Sequence, residues 1–460
     1  VDPAAPMGEE DSEWRSTRPD TVRVVLGLTP QLWLLFSNVM VYALFYQMQA
    51  PVLPHLVKSL DAMDSYSTMM TLFSVIQLVG GLLSGPLMDT FGSKLLILVS
   101  FGSSALCYVL VFMSQGMIML YLSRIPAILQ HTVLAARAIV SLETPEDSRA
   151  KVLAYIGVSY GVGFAVGPAF GGLLSDRFGL SFVPLVSTVG SVTSLVWCWW
   201  MLENPTPHTR KDTQIEEDSV ELRPLMAPEF TDEFESESIP PAVLQEPEPP
   251  VRSVSGKGAL ENLWRVSKLP HIRSLMMLKI VAGLGTAIFH AAFGLAAVEF
   301  FHLSPAGTGY LMSYVGCLTL VFQATIVGVL EKRFRDSTLI KGSTLGLAIA
   351  YLCTVFVTNV GQFCIIIAPM VACGSVFMAV NSAQFSKAVV PQDTGTALAL
   401  DMGIGSGVRV FSPVIGSSLF RSFGLPGLGF AACVLKIAAV LLLELGILGT
   451  TSAAAPVKKD

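Results

Sequence analysis

Runs of about twenty apolar residues, broken by short polar stretches, recur along all but the ends and middle of this 460-residue chain. Twelve are read from the sequence. The first half holds 29–55, 66–88, 95–114, 117–141, 151–174 and 181–201, and the second holds 274–299, 307–330, 338–358, 361–388, 395–419 and 427–449. Each is long enough to cross a hydrocarbon core of roughly 30 Å. A backbone in that core must satisfy its own hydrogen bonds, which leaves helices or a closed barrel. The runs are continuous rather than alternating, so they predict an all-α membrane protein of twelve transmembrane helices.

The runs fall into two sets of six around a different kind of sequence. A polar tail (1–28) precedes a first bundle (29–201), a linker (202–273) leads to a second bundle (274–449), and a short tail (450–460) follows. The linker's middle is rich in Pro, Glu and Ser and is expected to be disordered. Its end differs: Leu260, Leu263, Trp264, Val266 and Leu269 with Arg265 and Lys268 predict a short amphipathic helix on the membrane surface. The chain begins at Val1, so its N-terminus is expected to be incomplete, and residues 1 to 22 hold no signal-peptide core.

Only 14% of residues are charged, against roughly 25% in soluble domains. The net charge of -5 is local, since 202–250 carries about thirteen acids against Arg210, Lys211 and Arg223. It says little about substrate. Eight basic residues (Lys94, Arg149, Lys151, Lys332, Arg333, Arg335, Lys341 and Lys387) fall in loops on one side, and Lys58, Arg177 and Arg421 on the other. That asymmetry predicts cytoplasmic termini and linker. The seven cysteines all lie in apolar segments without metal-ligand spacing, so neither a metal nor any other cofactor is expected. No nucleophile–base set, phosphate loop or nucleic-acid patch is present, which argues against an enzyme or a nucleic-acid binder.

One passage occurs twice, about 245 residues apart. Pro145-Glu-Asp-Ser, a glycine-rich run through Pro168 and Gly171, and Phe178-Gly179-Leu180 match Pro391-Gln-Asp-Thr, a run through Pro413 and Gly416, and Phe423-Gly424-Leu425. Duplicated six-helix halves predict a pseudo-two-fold axis, with a site near the membrane midplane between them.

Three motifs sit on the right helices in the right order for a known family. Gly85-Pro-Leu-Met-Asp89-Thr-Phe-Gly92-Ser-Lys94 ends the second segment, with an echo at Gly328-Val-Leu-Glu-Lys332-Arg333-Phe. The fifth segment carries Gly163, Gly167-Pro168 and Gly171-Gly172, and the first ends in Pro51-Val52-Leu53-Pro54. Together they resemble the signatures of drug/proton antiporters in the major facilitator superfamily. Thr90 and Ser93 replace the arginines usual in the first motif. The resemblance implies two pseudo-symmetric six-helix bundles around a central cavity. It also implies alternating access, with Asp89 latching one bundle to the other and Arg149 and the fifth helix controlling the rocking. Tyr121 to His131, Pro145 to Arg149, Gly309 to Ser313 and Gly395 to Pro413 narrow the resemblance to exporters or exchangers of organic cations and drug-like molecules.

Charges inside the spans are functional candidates by default. Arg124 and His131, seven residues apart, are expected on one face of the fourth helix about 10 Å apart. Arg124 resembles the fourth-helix arginine of proton-coupled members, which tunes a neighbouring acid. Arg409 is expected near mid-membrane and Asp401 toward the inner end of the eleventh helix, where Asp401 is either the titrating acid of proton exchange or solvated at the mouth. His290 is central on the seventh helix, and either a proton or substrate site or a satisfied core histidine. Lys436 and Glu444, eight apart on the twelfth, are expected at the periphery. Tyr46, Gln47 and Gln49 on the first helix and Asn381 and Gln384 on the tenth are uncharged candidates, each a substrate contact or packing glue.

The main expectation is a monomeric secondary transporter of an organic cation or drug-like solute by proton antiport, in the plasma membrane or an endomembrane. Its partners are a small-molecule substrate, protons and the bilayer, with the linker's partner unknown. A facilitative or organic-anion carrier on the same fold is the alternative, because the deepest fixed charges, Arg124 and Arg409, are positive. A non-transporting receptor or scaffold of this fold is a second alternative.

Overall fold

The computed structural model describes residues 29–144, 146–202, 256–390 and 393–444. Both tails, the acidic middle of the linker and the side chains of Asp89 and Asp147 fall outside that description. Every regular element described is helical. The first half holds α1 (Pro30–Ser59), α2 (Tyr66–Phe91), α3 (Ser93–Phe112), α4 (Met117–Leu122), α5 (Thr132–Glu143), α6 (Glu146–Phe178) and α7 (Phe182–Met201). After α8 (Gly256–Ser267), the second holds α9 (Pro270–Leu295), α10 (Pro305–Arg333), α11 (Asp336–Cys353), α12 (Val360–Lys387) and α13 (Thr394–Glu444). Ten of the described helical segments are long and apolar enough to span a membrane. One of them, α13, is two spans joined at a kink, where Gly424 takes φ 66°. The 30-residue α1, which carries Gln31, Asn38, Gln47 and Gln49, supplies the twelfth.

The duplicated passage has the same backbone in both halves. Gly179 and Gly424, the centres of the two Phe-Gly-Leu triplets, both take positive φ (89° and 66°) at the ends of spans. Gly92 does so between α2 and α3 (φ 84°). A side chain at these three positions would be strained, which is why the reversals carry glycine.

The fourth span departs from the expected continuous helix. Pro126 lacks an N–H, and its ring clashes with the carbonyl four residues earlier. That residue is Leu122, where α4 stops. A 3-10 turn follows (Ile125–Leu129), and His131 is non-helical ahead of α5. Arg124 and His131 therefore do not share a helix face. The carbonyls freed by the break find donors on neighbouring spans: Ser103 donates to the Pro126 carbonyl, and Gln77 Nε2 to that of Ala127 at 3.1 Å. Such replacement is what permits irregular backbone at membrane depth.

The two bundles share a core at one end only. At the far end (Ser59–Tyr66, Phe178–Phe182, Phe301–Ser304), Leu53, Val57, Tyr66 and Met69 join one apolar cluster with Phe289, Leu295 and Tyr351 of the other half. At the motif end (Phe91–Ser93, Arg333–Asp336) the clusters separate, one confined to residues 32–202 and another to 266–397. The seam between α6 and α10 shows where they part. A Cβ on Gly309 would lie 2.3 Å from the Pro168 carbonyl oxygen, one on Gly172 2.3 Å from that of Pro305, and one on Gly316 2.7 Å from Ala165. Gly161 still meets Leu320, but one turn further Gly157 meets nothing within 4 Å. The two halves are thus packed together at the far end and part at the motif end.

Candidate functional site

The candidate residues lie on the middles of α1, α6, α9 and α13 and at the break in the fourth span. Arg124 sits at that break on α2, its guanidinium 6.0 Å from the Phe73 ring centre. Arg409 lies midway along the first span of α13, exposed, with Nη2 donating to Ser406 at 3.1 Å. Tyr46 of α1 is within electrostatic reach of both guanidiniums, and its ring stacks on Tyr42 at 6.0 Å. Tyr160 of α6 hydrogen-bonds Gln47 and also feels Arg409. One arginine thus comes from each half, and the Tyr46 phenol is within electrostatic reach of both.

Neither arginine has a carboxylate partner among the described residues. The ion pairs there are Arg265–Asp393, Lys279–Asp401, Lys341–Glu444, Lys387–Asp336 and Arg421–Asp64. Asp401 does not face Arg409. It is 4% exposed inside the second bundle, where it binds Lys279 of α9 and accepts a 2.6 Å hydrogen bond from Ser382 of α12. Lys279 stands over the Phe385 ring, 5.9 Å from its centre. This three-helix lock was invisible in the sequence because its members are 122 and 19 residues apart.

The other candidates scatter. Gln49 donates to Ser187 of α7 at 2.9 Å, within its own bundle. His131 lies against bare Gly80 of α2, where a Cβ would come within 2.6 Å of Nε2. Asn381 is 1% exposed, whereas Gln384 donates to Asp336 at the motif end at 2.6 Å. His290 is enclosed by protein yet keeps an exposed surface, as a cavity wall does. Lys436, expected at the periphery, is instead fully buried over the Phe377 ring at 4.8 Å. The α12–α13 interface, not lipid, receives that face of the last span.

Among the motif residues, Gly163, Gly167 and Gly171 set α6 against α1. A Cβ there would come within 2.7, 2.7 and 2.1 Å of backbone atoms of Leu44 and Met48. Four-residue spacing is what lets two membrane helices meet so closely. Gly172 and Gly309, by contrast, face across the seam between bundles. Gly85 borders open space, Lys94 and Arg333 lie at helix ends of the motif end, and Arg149 reaches the Thr144 carbonyl at 3.4 Å.

A family model described as Major Facilitator Superfamily matches residues 35–269 and again 275–459. The chain belongs to the major facilitator superfamily. Solute carrier family 22 member 18 of Mus musculus is 27% identical over 402 residues, covering 86% of this chain and 91% of that protein. The class B tetracycline resistance protein of Escherichia coli is 28% identical over 170 residues, 36% of this chain and 42% of its own. The human organic anion transporter MFSD10 (TETRAN) superposes with a TM-score of 0.61 at 16% identity, covering 90% of this chain and all of that one. A peptide-complexed transporter of the POT family gives 0.69 at 11% identity, covering 93% and 98%. The last two likenesses carry the fold alone. The chain is thus an integral membrane protein of a transporter family.

Proposed function

We propose that this major facilitator protein carries an organic anion by alternating access, the anion bridging Arg124 of one bundle and Arg409 of the other. The carrying observation is that two guanidiniums from opposite bundles, both within electrostatic reach of Tyr46, have no carboxylate partner among the described residues. Like charges in a protein interior repel more strongly than in water. An anion placed between the arginines turns repulsion into attraction and draws the bundles together, and the ring faces of Tyr46 and Tyr160 suit an aromatic body. That the superposable human MFSD10 (TETRAN) is an organic anion transporter supports the same substrate class.

In this reading the bundles are 29–201 and 274–449, the protein works as a monomer, and the motif end with its basic loops faces the cytoplasm. The tetracycline-resistance likeness supports a second reading, export of a drug-like cation by proton antiport. The engagement of Asp401 with Lys279 and Ser382 weighs against it, because the carboxylate is turned away from the cavity.

The test is a thermal-shift comparison of two matched probes, 1-naphthalenesulfonate and a trimethylated 1-naphthylammonium. Saturating sulfonate at about 100 times Kd stabilises by about 2.7 kcal/mol. The sulfonate is expected to raise Tm in the wild type and not in Arg409→Gln. Stabilisation by the ammonium alone would reverse the assignment.

A further inference from the structure

We infer that α8 is a docking helix for anionic phospholipid, with Trp264, Lys268 and the neighbouring Arg273 presented to the headgroups at the motif end. The inference concerns the surface of the second bundle and is independent of what the two arginines carry.

The two faces of α8 are opposite in character. At about 100° per residue, Trp264 and Lys268 each come out about 160° from Val266. Val266 is fully buried and packs with Ile272 and Leu275 of α9, Phe385 of α12 and Ala397 of α13. Arg265 fixes the helix in place through Asp393, at 2.5 Å. On the other face Trp264 is 67% exposed, and the Lys268 amine stands over its ring, 4.8 Å from the centre. The bundle holds one face of the helix and leaves the indole and the ammonium of the other face outward.

Chain continuity puts that outer face at the bilayer surface. Only Lys268 and Leu269 separate α8 from α9, which begins a membrane span. Leu269 is extended (φ -60°, ψ 131°) ahead of Pro270, so the chain turns there instead of running on as one helix. The other described tryptophans gather at the same end. Trp33 lies in the first turn of α1, and Trp197, Trp199 and Trp200 lie in the last turns of α7, all of them exposed. Indole rings collect at headgroup depth.

The charges select the lipid. Arg265 is paired with Asp393, but Lys268 and Arg273 are exposed and have no acidic partner among the described residues. Glu261, seven residues before Lys268, is about two turns away. The occupant must therefore offer negative charge to two cations and a polar–apolar boundary to an indole. An anionic phospholipid supplies both in one molecule. The acidic linker (202–250) supplies only the charge. Each basic residue near an anionic leaflet is worth about a 5-fold preference.

Brominated lipids quench tryptophan on contact, so the test reads Trp264 fluorescence of the full chain in nanodiscs, taken as wild type minus Trp264→Phe. Phosphatidylcholine discs carry brominated phosphatidylserine or brominated phosphatidylcholine over the same series of mole fractions. The serine lipid is expected to quench the Trp264 share at lower mole fraction, and added salt to shrink that preference. Lys268→Gln and Arg273→Gln are each expected to lower the preference about 5-fold, and Lys268→Arg to keep it. All three side chains are exposed in these positions, so Tm is expected to stay at the wild-type value. Equal quenching by the two lipids overturns the anionic class. Quenching by neither lipid overturns the docking, and if quenching then appears once the linker's acids are changed to amides, the linker is the occupant instead.

Discussion

Replacing Asp401 with Asn removes the only acid beside Lys279 and leaves an ammonium stranded in the second bundle. The two side chains are 9% and 6% exposed, and Ser382 holds the second carboxylate oxygen at 2.6 Å, so both charges have been withdrawn from water. Breaking such a pair from one side costs about 3–5 kcal/mol, because the survivor keeps its desolvation penalty. Replacing both partners by apolar groups of similar size is close to neutral. Asp401→Asn and Lys279→Met are each expected to destabilise by that amount, and Lys279→Met/Asp401→Leu to lie within about 1 kcal/mol of wild type. At about 2–4 °C per kcal/mol for a unit of bundle size, each single variant lowers Tm by about 6–20 °C. Melts of the detergent-purified protein complete the double-mutant cycle. Single variants that melt near wild type, or effects that add without coupling, would show that the lock is absent and that Asp401 is free to face the cavity.

Three further outcomes follow from the same geometry. Gly309→Ala places a methyl 2.3 Å from the Pro168 carbonyl oxygen, so it is expected to wedge the far end apart and raise thiol labelling of a cysteine introduced at Thr308. Gln77→Leu removes one of the two donors to the Ala127 carbonyl at the break in the fourth span, the Gln130 N–H remaining, at a cost of about 0.5–1.5 kcal/mol, read as a lower Tm. Arg421→Ala cuts an exposed tie to Asp64 and the Met63 carbonyl, so it is expected to change stability by less than about 1 kcal/mol while increasing accessibility at the far end in cross-linking.

The fold was legible because membrane length and apolar continuity are local properties, and because glycine marks a backbone need. Gly92, Gly179 and Gly424 were set at segment ends by sequence, and each has the positive φ that favours glycine there. The break in the fourth span was also written in the chain, as Pro126, yet an apolar run through 117–141 hid it. Hydropathy counts side chains and is blind to a missing N–H. The amphipathic end of the linker was legible from Trp264 and Val266. Its tie to the loop before α13, Arg265 to Asp393 at 2.5 Å, was not, since the partners are 128 residues apart. Long-range pairing likewise concealed the Lys279–Asp401 lock and the burial of Lys436. A lysine near a chain end reads as peripheral until the face it presents to α12 is seen.

The account's central claim is that an anion closes the motif end by joining the two arginines. Spin labels at Thr90 on α2 and Phe334 beyond α10, in a background without the exposed cysteines Cys317 and Cys353, measure that end directly by double electron–electron resonance. Adding 1-naphthalenesulfonate is expected to shorten the distance in the wild type and leave it unchanged in Arg409→Gln. A wild-type distance that ignores the sulfonate and shortens with the matched ammonium would contradict the account.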